Sequence, residues 1–425
     1  MQRVSRRSAT ILGGWMETTA TAVAESGSRA RARHLLLGPL AYSMFFVFGS
    51  VTSLNDVLMP KLKDLFQLNY AEMTLVQFCF FTGYAFISIP ASYLIDSIGY
   101  LRSLTIGLAA MAIGCLLFIP AGALSEFAAF LVALFIVAAG VTTVQVTVNP
   151  LVIDLGVPAT TSRRLTLAHA CNSIGTVVAP YLGAMFILRS TSAQGPTPLS
   201  VISTAYAAIA LFLLVVAAVV WSMRDQFKQA RVERQSAMAA FELLRRPRVR
   251  RGVMAMFLYV GAEVTIGSLL VNYLVQQSTL HLTPESAGKH LAYYWGGLLV
   301  GRLCGILVLR YLSASSLVIG SGIGAVILVL LSATSTGAMA GWTLLAVGLC
   351  NSVMFPLIFD LTSRGLGEKT SEGSGLICVA IVGGAVVPLL TGRLADMTNL
   401  STALIVPAFC YVGITAFGWF AHRHR

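Results

Sequence analysis

Charged residues are scarce in this chain of 425 residues. Asp, Glu, Lys and Arg together make up 11% of the sequence, whereas a soluble globular protein carries about 25%. Hydrophobic residues make up 56%, and the mean hydropathy is +0.80. The chain also lacks the short alternating strands that a transmembrane β-barrel requires. These absences exclude a soluble globular protein and a barrel, and they predict a polytopic α-helical membrane protein.

Paired cysteines and catalytic groupings are absent as well. Each of the seven cysteines lies inside an apolar run and none belongs to a CxxC pair, so we interpret them as small buried residues. The chain has no soluble catalytic domain, no metal-spaced set of His and Cys residues and no pairing of a nucleophile with a base. We therefore expect no enzyme, no metal and no cofactor. The cysteines are Cys79, Cys115, Cys171, Cys304, Cys350, Cys378 and Cys410.

Long apolar runs follow one another along almost the whole chain. One membrane-spanning helix needs about 20 apolar residues, and twelve runs approach that length. They predict an all-α protein with twelve transmembrane helices. The runs lie near residues 35–58, 72–95, 103–122, 126–153, 165–188, 200–222, 252–276, 291–309, 314–333, 338–360, 373–392 and 402–421.

The net charge of +12 has a topological explanation. With an even number of spans both termini lie on one side, and that side holds 23 of the 29 Lys and Arg residues, against five on the other side. Cytoplasmic loops of membrane proteins carry such an excess. We therefore expect a multi-pass protein of the inner (plasma) membrane with both termini cytoplasmic, in contact with the lipid bilayer. No nucleic-acid-binding motif accompanies the charge, so no nucleic acid is expected as a partner.

Three sequence pairs recur in the same order in the two parts of the chain. Because several matches share a similar offset, they indicate an internal repeat. Each copy has an even number of spans, so the two copies have the same orientation in the membrane. The pairs are "PLVIDL" (150–155) with "PLIFDL" (356–361), "GTVVAPYLG" (175–183) with "GAVVPLLTG" (384–392), and "FFVFG" (45–49) with "FLYVG" (257–261).

This repeat divides the chain into four segments. We predict a cytoplasmic N-terminal tail over 1–34, a six-helix half over 35–223, a basic cytoplasmic linker over 224–251 and a second six-helix half over 252–425. Two parallel halves are the arrangement of the major facilitator superfamily, in which the substrate site lies between the halves near the bilayer midplane.

Amide and aromatic side chains form stripes at helical spacing inside several spans. Thr142, Gln145 and Asn149 lie at i, i+3 and i+7, and His169 and Asn172 lie at i and i+3. Amides and aromatic rings suit a neutral polyhydroxylated molecule such as a sugar. The alternative is that these amides only hold helices together. The predicted substrate-binding residues are Asn55, Gln77, Tyr84, Gln145, Asn149, His169, Asn172, Tyr259, Glu263 and Asn351.

Two carboxylates, Asp56 and Glu263, lie inside spans that line the predicted cavity. A charged group in a membrane span is costly and usually functional. We predict that they carry the coupling proton, with Asp56 as the first choice. For Asp56 the alternative is an ion pair or a helix cap near the outer face. His169 is a further candidate because imidazole titrates near neutral pH.

Other charged residues and two prolines are expected to serve gating or structure. Asp96 and Arg102 lie in "SYLIDSIGYLR" (92–102), which resembles the loop signature of the superfamily, and they are expected to pair. Arg302 is expected to pair with an acid or to cap carbonyl groups. Asp154 and Asp360 end spans four and ten as gate or cap residues. Pro150 and Pro356 are expected to loosen those two spans, because proline removes a helix hydrogen bond.

Six longer segments resemble one particular family. The chain is similar to the fucose–galactose–glucose:proton symporters and resembles their glucose/galactose branch most. The resemblance implies a twelve-helix major facilitator fold and sugar uptake driven by an ion gradient. The segments are "NDVLMPKLKDLF" (55–66), "VTVNPLVIDLG" (148–156), "LAHACNSIGT" (167–176), "LYVGAEVTIGSLLVNYL" (258–274), "NSVMFPLIF" (351–359) and "GSGLICVAIVGGAVVPLL" (373–390).

The resemblance also carries roles to single positions. Fucose members use the carboxylate of the "ND" motif, here Asp56, and a Glu in span four, where this chain has Gln145. Gln145 does not titrate, so the resemblance leaves it a role in sugar binding alone. His169 replaces the first amide of the branch's "Q-x-x-N-S" segment, and Asn172 is kept. Glu263 matches the acid of "YVGAEV".

The sequence thus predicts a secondary transporter that imports a neutral monosaccharide with protons by alternating access. A functional monomer is expected. Sodium in place of the proton, an uncoupled sugar facilitator and an exporter of drugs or metabolites remain the alternatives.

Overall fold

A computed structural model of the chain describes residues 37–53, 66, 70–124, 126–187, 198–224 and 239–424. These residues form helices joined by short turns, and the described part of the chain contains no strand. The helices are α1 (Leu37–Ser53), α2 (Tyr70–Ile98), α3 (Tyr100–Leu124), α4 (Phe127–Asp154), α5 (Thr161–Ile187), α6 (Pro198–Ser222), α7 (Ala239–Glu242), α8 (Pro247–Val275), α9 (Pro284–Val308), α10 (Ala314–Thr334), α11 (Gly337–Asn351), α12 (Met354–Ser363), α13 (Thr370–Val379), α14 (Gly383–Met397), α15 (Leu400–Ala403) and α16 (Ile405–Arg423).

Within the described residues, ten helical segments are long and apolar enough to cross a membrane, and the apolar helix α1 is shorter. Three of the ten are built from two helices each, α11 with α12, α13 with α14, and α15 with α16. The prediction of a polytopic all-α membrane protein is therefore confirmed. The total of twelve spans and the division of the chain at residues 224–251 stay predictions.

Successive spans run in opposite directions, which gives the bundle two ends. We call the end at which α6 finishes and α8 begins the linker face, and the other end the opposite face. We call α1–α6 the first half and α7–α16 the second half. At the linker face a single residue, Gly99, separates α2 from α3. Its φ of +86° lies in the left-handed region that favours glycine, which explains why the turn is so tight.

The end of α4 at the linker face is held by Arg164 of α5. Its guanidinium donates to the backbone oxygens of Val152 at 3.1 Å, Ile153 at 2.9 Å and Val157 at 2.9 Å. The last carbonyls of a helix lack partners within the helix. Arg164 supplies them and thereby fixes where the chain leaves α4 and enters α5.

Close packing of α3 on α4 makes the core of the first half. A Cβ atom at Gly140 would lie 2.4 Å from the backbone nitrogen of Met111 and 2.6 Å from the backbone oxygen of Gly107, so only glycine allows this contact. Small residues at helix interfaces are typical of membrane bundles, because they let backbones approach. This packing leaves the other faces of α4 and α5 to meet the second half.

The repeated prolines behave differently in the two halves. α4 continues through Pro150, and whether this proline loosens span four stays a prediction. Residues around Pro150 are fully buried, and packing on all sides holds the helix although one backbone bond is missing. Span ten is interrupted before Pro356, between the end of α11 at Asn351 and the start of α12 at Met354.

Candidate functional site

The predicted polar stripes meet in the middle of the bundle, between α4 and α5 of the first half and α8, α9 and α12 of the second half. Of the predicted substrate-binding and proton-coupling residues, Asn55 and Asp56 lie outside the described residues. Gln77 is half-buried on α2. The other predicted residues occupy three groups, one on α2 and α4, one on α5, and one on α8 and α11.

The first group joins α2 to α4. The hydroxyl of Tyr84 donates to Oε1 of Gln145 at 2.8 Å, and both side chains are buried. One turn further along α4, Nδ2 of Asn149 donates to the backbone oxygen of Gln145 at 2.8 Å. This bond fixes the plane of the Asn149 amide. Its Oδ1 is buried and has no partner among the described residues, as is also true of Thr142 Oγ1.

The second group surrounds His169 on α5. The imidazole lies between Phe45 of α1 and Phe355 of α12, with ring centroids 4.9 Å and 4.7 Å away. Its Nε2 is buried and, within the described residues, has no hydrogen-bond partner. Asn172 instead packs against α1, where its Nδ2 donates to the backbone oxygen of Phe45 at 3.2 Å.

The third group contains the one predicted coupling carboxylate that is described. The hydroxyl of Tyr259 donates to Oε1 of Glu263 at 2.6 Å and lies 3.2 Å from the backbone oxygen of Asn351. The Asn351 side chain donates from Nδ2 to the hydroxyl of Tyr294 at 2.8 Å, and that hydroxyl lies 3.2 Å from the backbone oxygen of Glu263. The network therefore links Glu263 to the interruption between α11 and α12.

Arg302 connects the second and third groups. It is 7% exposed, and its Nε donates to the backbone oxygen of Ser352 at 3.0 Å. Its Nη1 donates to the backbone oxygen of His169 at 3.1 Å and to the hydroxyl of Ser173. The expectation that Arg302 caps carbonyl groups is confirmed by these contacts. The guanidinium also interacts electrostatically with the Glu263 carboxylate, so the site has a positive charge that the amide stripes did not indicate.

Two predicted gate residues join the halves at the linker face. Ser371 of α13 donates its hydroxyl to Oδ1 of Asp96 on α2. Ser162 of α5 donates to Oδ2 of Asp360 on α12 at 2.6 Å, and Arg364 forms an ion pair with the same oxygen at 2.7 Å. Each of these two bonds therefore pairs a serine near the start of one helix with an aspartate near the end of another.

Asp154 has a hydrogen-bond partner within its own half. The hydroxyl of Tyr100 donates to Oδ2 of Asp154 at 2.7 Å, which ties the start of α3 to the end of α4. Arg102 is exposed near the start of α3. The structure thus gives Asp154 the role of an end-cap partner inside the first half, whereas its repeat counterpart Asp360 contacts the other half.

Several residues of the site were not predicted. Phe45, Phe355 and Tyr294 were missed because apolar and aromatic residues are common throughout the spans. A usable signal did exist for Ser162 and Ser371. The segments "TSRR" (161–164) and "TSEG" (370–373) occupy matching places in the repeat. Each begins a helix that contacts the other half.

Comparison with known proteins agrees with the membrane-helix architecture of the structure. A family model described as the Major Facilitator Superfamily matches residues 41–387. A glucose/galactose transporter of Brucella abortus is 43% identical over 88% of this chain and 91% of its own length. The L-fucose-proton symporter of Escherichia coli is 30% identical over 90% of this chain and 92% of its own length. These relatives are transporters by name, which confirms that the chain is not an enzyme.

Comparison with solved structures supports the same family. The crystal structure of the major facilitator transporter FucP in the outward conformation superimposes with a TM-score of 0.80 at 28% identity, and the match covers 91% of this chain and 99% of that chain. Matching helices, a matching family model and relatives above 30% identity over most of their length agree. The chain therefore belongs to the major facilitator superfamily, in the family that includes the glucose/galactose transporters and the L-fucose-proton symporters.

Proposed function

We propose that this protein imports a neutral monosaccharide, a hexose such as glucose or galactose or a related sugar, together with a proton. The observation that carries the proposal is a set of buried polar atoms at the site. Oγ1 of Thr142, Oδ1 of Asn149, Nε2 of His169 and Oδ1 of Asn351 have no partner among the described residues. Buried polar atoms without hydrogen bonds are costly. A ligand whose hydroxyl groups both donate and accept supplies the missing bonds.

The surroundings of these atoms favour a sugar over other ligands. Phe45 and Phe355 present apolar rings on both sides of the His169 imidazole, and aromatic faces complement the apolar C–H faces of a sugar ring. Arg302, the cation of the site, has its Nε and Nη1 engaged by protein oxygens, which argues against an anionic substrate. The names of the glucose/galactose and L-fucose-proton relatives support the same substrate class.

Proton coupling is assigned to carboxylates because Gln145 does not ionise. Its Oε1 accepts a hydrogen bond from Tyr84 within the first half. Asp56 remains the first candidate for the proton carrier, and Glu263 is the candidate inside the described network. Gln145, Asn149 and His169 would then bind sugar hydroxyls, with Gln77 and Asn55 as further candidates.

Tyr259 offers a route by which the proton on Glu263 affects the helices. A hydroxyl has one hydrogen, and that of Tyr259 lies near two acceptors, Oε1 of Glu263 and the backbone oxygen of Asn351. An ionised Glu263 accepts a hydrogen bond from this hydroxyl. A protonated Glu263 donates to the Tyr259 oxygen instead and frees the hydroxyl hydrogen for the Asn351 carbonyl. Protonation would thereby strengthen the contact between α8 and the interruption that precedes α12.

Alternating access follows from the arrangement of the halves. Serine–aspartate bonds join them at the linker face, so in this conformation the site would open toward the opposite face. The excess of Lys and Arg supports a cytoplasmic linker face. The proposal therefore describes an outward-facing state of a monomeric importer in the bacterial inner membrane, with both termini cytoplasmic.

The experiment that tests the function uses the purified protein in proteoliposomes. Labelled glucose and galactose should accumulate when the outside is made acidic, and adding sugar without a gradient should move protons inward. Accumulation of neither hexose nor of any related neutral sugar would overturn the proposal. The coupling ion is tested in the same vesicles. A sodium gradient should not drive sugar accumulation in place of the pH gradient.

An uncoupled facilitator is the second candidate, and Gln145 is the observation that favours it. The resemblance to fucose symporters places a carboxylate at this position, and its loss leaves fewer groups to carry a proton. Sugar that equilibrates across the vesicle membrane but never accumulates, with no change in internal pH, would establish this alternative.

A further inference from the structure

The proline of α4 leaves one backbone carbonyl without its helical donor. Residue 150 has no N–H, so the oxygen of Val146, four residues earlier, cannot form the usual helix bond. In the structure the hydroxyl of Ser374 donates to this oxygen at 2.7 Å. Both residues are fully buried. Ser374 belongs to α13 in the second half, so the vacant helix position is filled from across the interface.

A similar acceptor lies before the proline of span ten, at the matching place in the repeat. Ser352 lies in the interruption before α12, and Pro356 has no N–H to offer its oxygen, to which Nε of Arg302 donates at 3.0 Å. The same guanidinium reaches the backbone oxygen of His169 at 3.1 Å. This carbonyl in the second half is thus joined, through Arg302, to α5 of the first half.

We propose that Pro150 and Pro356 act by creating these two acceptors, and that Ser374 and Arg302 are positioning residues that hold the halves together at the linker-face end of the site. The proposal rests on alternating access as proposed above, but it does not depend on which sugar is carried. It gives the prolines a role besides the predicted loosening of their helices.

The chemistry suits a contact that must break and form in every cycle. The carbonyl of Val146 keeps a fixed direction because the rest of α4 stays helical. When the halves separate, water entering the gap can replace the Ser374 hydroxyl as donor, so opening leaves no buried acceptor without a bond. An ordinary helix carbonyl is already bonded to its own helix and cannot serve the other half in this way.

Glycines beside both donors let the helices come close enough for these bonds. A Cβ atom at Gly375 would lie 2.7 Å from Oγ of Ser92 on α2. A Cβ atom at Gly301 would lie 2.3 Å from Oγ of Ser352. Gly375 therefore lets α13 approach α2 beside Ser374, and Gly301 lets α9 approach Ser352, to whose oxygen Arg302 donates.

The test compares Ser374→Ala, Ser374→Thr, Pro150→Ala and the double variant Pro150→Ala/Ser374→Ala. Spin labels on the exposed residues Val157 and Tyr311 report the separation of the halves at the linker face. The measurement is made in nanodiscs without sugar. Ser374→Ala should raise the population of molecules open at the linker face by roughly fivefold, which is what one neutral hydrogen bond is worth. Ser374→Thr keeps the donor and should restore the closed population.

Pro150→Ala gives the sharper result. Alanine returns an N–H to position 150, so the Val146 oxygen regains its helix bond and no longer needs Ser374. This variant should open the linker face as Ser374→Ala does, and the double variant should open it no further than either single one. Because alanine favours a helix, Pro150→Ala tests the proposal even where Ser374→Ala does not fold.

Ser103→Ala is the matched control. Ser103 is a fully buried serine on α3 whose hydroxyl donates to its own helix at the Gly99 oxygen, 2.8 Å away. Its replacement should leave the label distances unchanged. An unchanged distance in Ser374→Ala, or additive effects of the two substitutions, would overturn the proposal. Since the labels report without sugar, this failure is distinct from a wrong assignment of the substrate.

Discussion

At the scale of single residues, Asn149 shows how the site is prepared for a ligand. Its Nδ2 is bound to the Gln145 backbone oxygen at 2.8 Å, which leaves its Oδ1 oriented, buried and without a partner among the described residues. His169 is held in a similar way by the two aromatic rings. Groups that are fixed before the ligand arrives lose little freedom on binding. In the proposed sugar site, part of the entropy cost of ordering the binding side chains is therefore met before the sugar arrives.

The first prediction concerns Asn149→Ala. This variant removes one fixed hydrogen-bonding group from the proposed sugar site, and such a group contributes about 1 kcal/mol, so the sugar KM should rise about five- to tenfold. Transport assays in proteoliposomes measure it. Thr147→Val is the control, because the Thr147 hydroxyl is buried on the same helix but donates to its own backbone at Thr143. Equal KM values for the two variants would remove Asn149 from the site.

The second prediction compares Glu263→Gln with Asp56→Asn. Each variant keeps the shape of the side chain and removes its ability to bind and release a proton. If Asp56 carries the coupling proton, Asp56→Asn abolishes sugar accumulation driven by a pH gradient but preserves exchange of sugar across the membrane. Glu263→Gln should still accept from Tyr259 and should lower accumulation to a smaller extent. Loss of accumulation in Glu263→Gln alone would transfer the coupling role to Glu263.

At the scale of helices, the sequence predicted periodic features well and tertiary contacts poorly. Apolar runs and the repeat predicted the membrane helices, because both depend on local composition. Gln145 and Tyr84 were both predicted to line the cavity, and they are bonded to each other. The reach of Arg302 to α5 was not predictable, because it depends on how the halves approach rather than on the order of residues in span eight.

The repeated prolines show the limit of a local rule at this scale. Proline predicts a weakened helix wherever it occurs. In α4 the helix stays continuous through Pro150, with buried residues around it. In span ten the helix does stop before Pro356. The two prolines therefore stand in different local structures, one inside a continuous helix and one after an interruption.

The third prediction concerns the packing of α13 on α2. In Gly375→Val the new Cβ would lie 2.7 Å from Oγ of Ser92 and 3.0 Å from the backbone oxygen of Ser88. Overpacking of this kind costs about 1–3 kcal/mol, and separating the halves at the linker face relieves it. The distance between labels at Val157 and Tyr311 should therefore increase.

A control for this helix contact is available in the same span. Gly392 lies on α14, and a Cβ atom there would meet nothing within 4 Å. Gly392→Ala should leave the label distance and the transport rate unchanged. A closed linker face in Gly375→Val would mean that α13 does not need to touch α2 for closure.

At the scale of the whole molecule, the distribution of positive charge and the contacts between the halves both distinguish the linker face from the opposite face. The predicted cytoplasmic segments carry most of the Lys and Arg residues, and the linker face is where the structure joins the halves through Ser162, Asp360, Ser371 and Asp96. An importer in an outward-facing state must be closed on its cytoplasmic side. The positive-inside rule predicts a cytoplasmic linker face, and with that orientation these contacts correspond to the proposed outward-facing state.

The fourth prediction tests this orientation directly. Val157 and Tyr311 are exposed at the linker face, whereas Leu124 and Met397 are exposed at the opposite face. Each is replaced singly by cysteine and treated with a membrane-impermeant thiol reagent in sealed vesicles. Val157→Cys and Tyr311→Cys should react only in inside-out vesicles, and Leu124→Cys and Met397→Cys only in right-side-out vesicles. The unsubstituted protein supplies the background from its own cysteines. The reverse pattern would place the linker face outside, and the closed end of the bundle would then face the periplasm, as expected for an exporter waiting for its substrate.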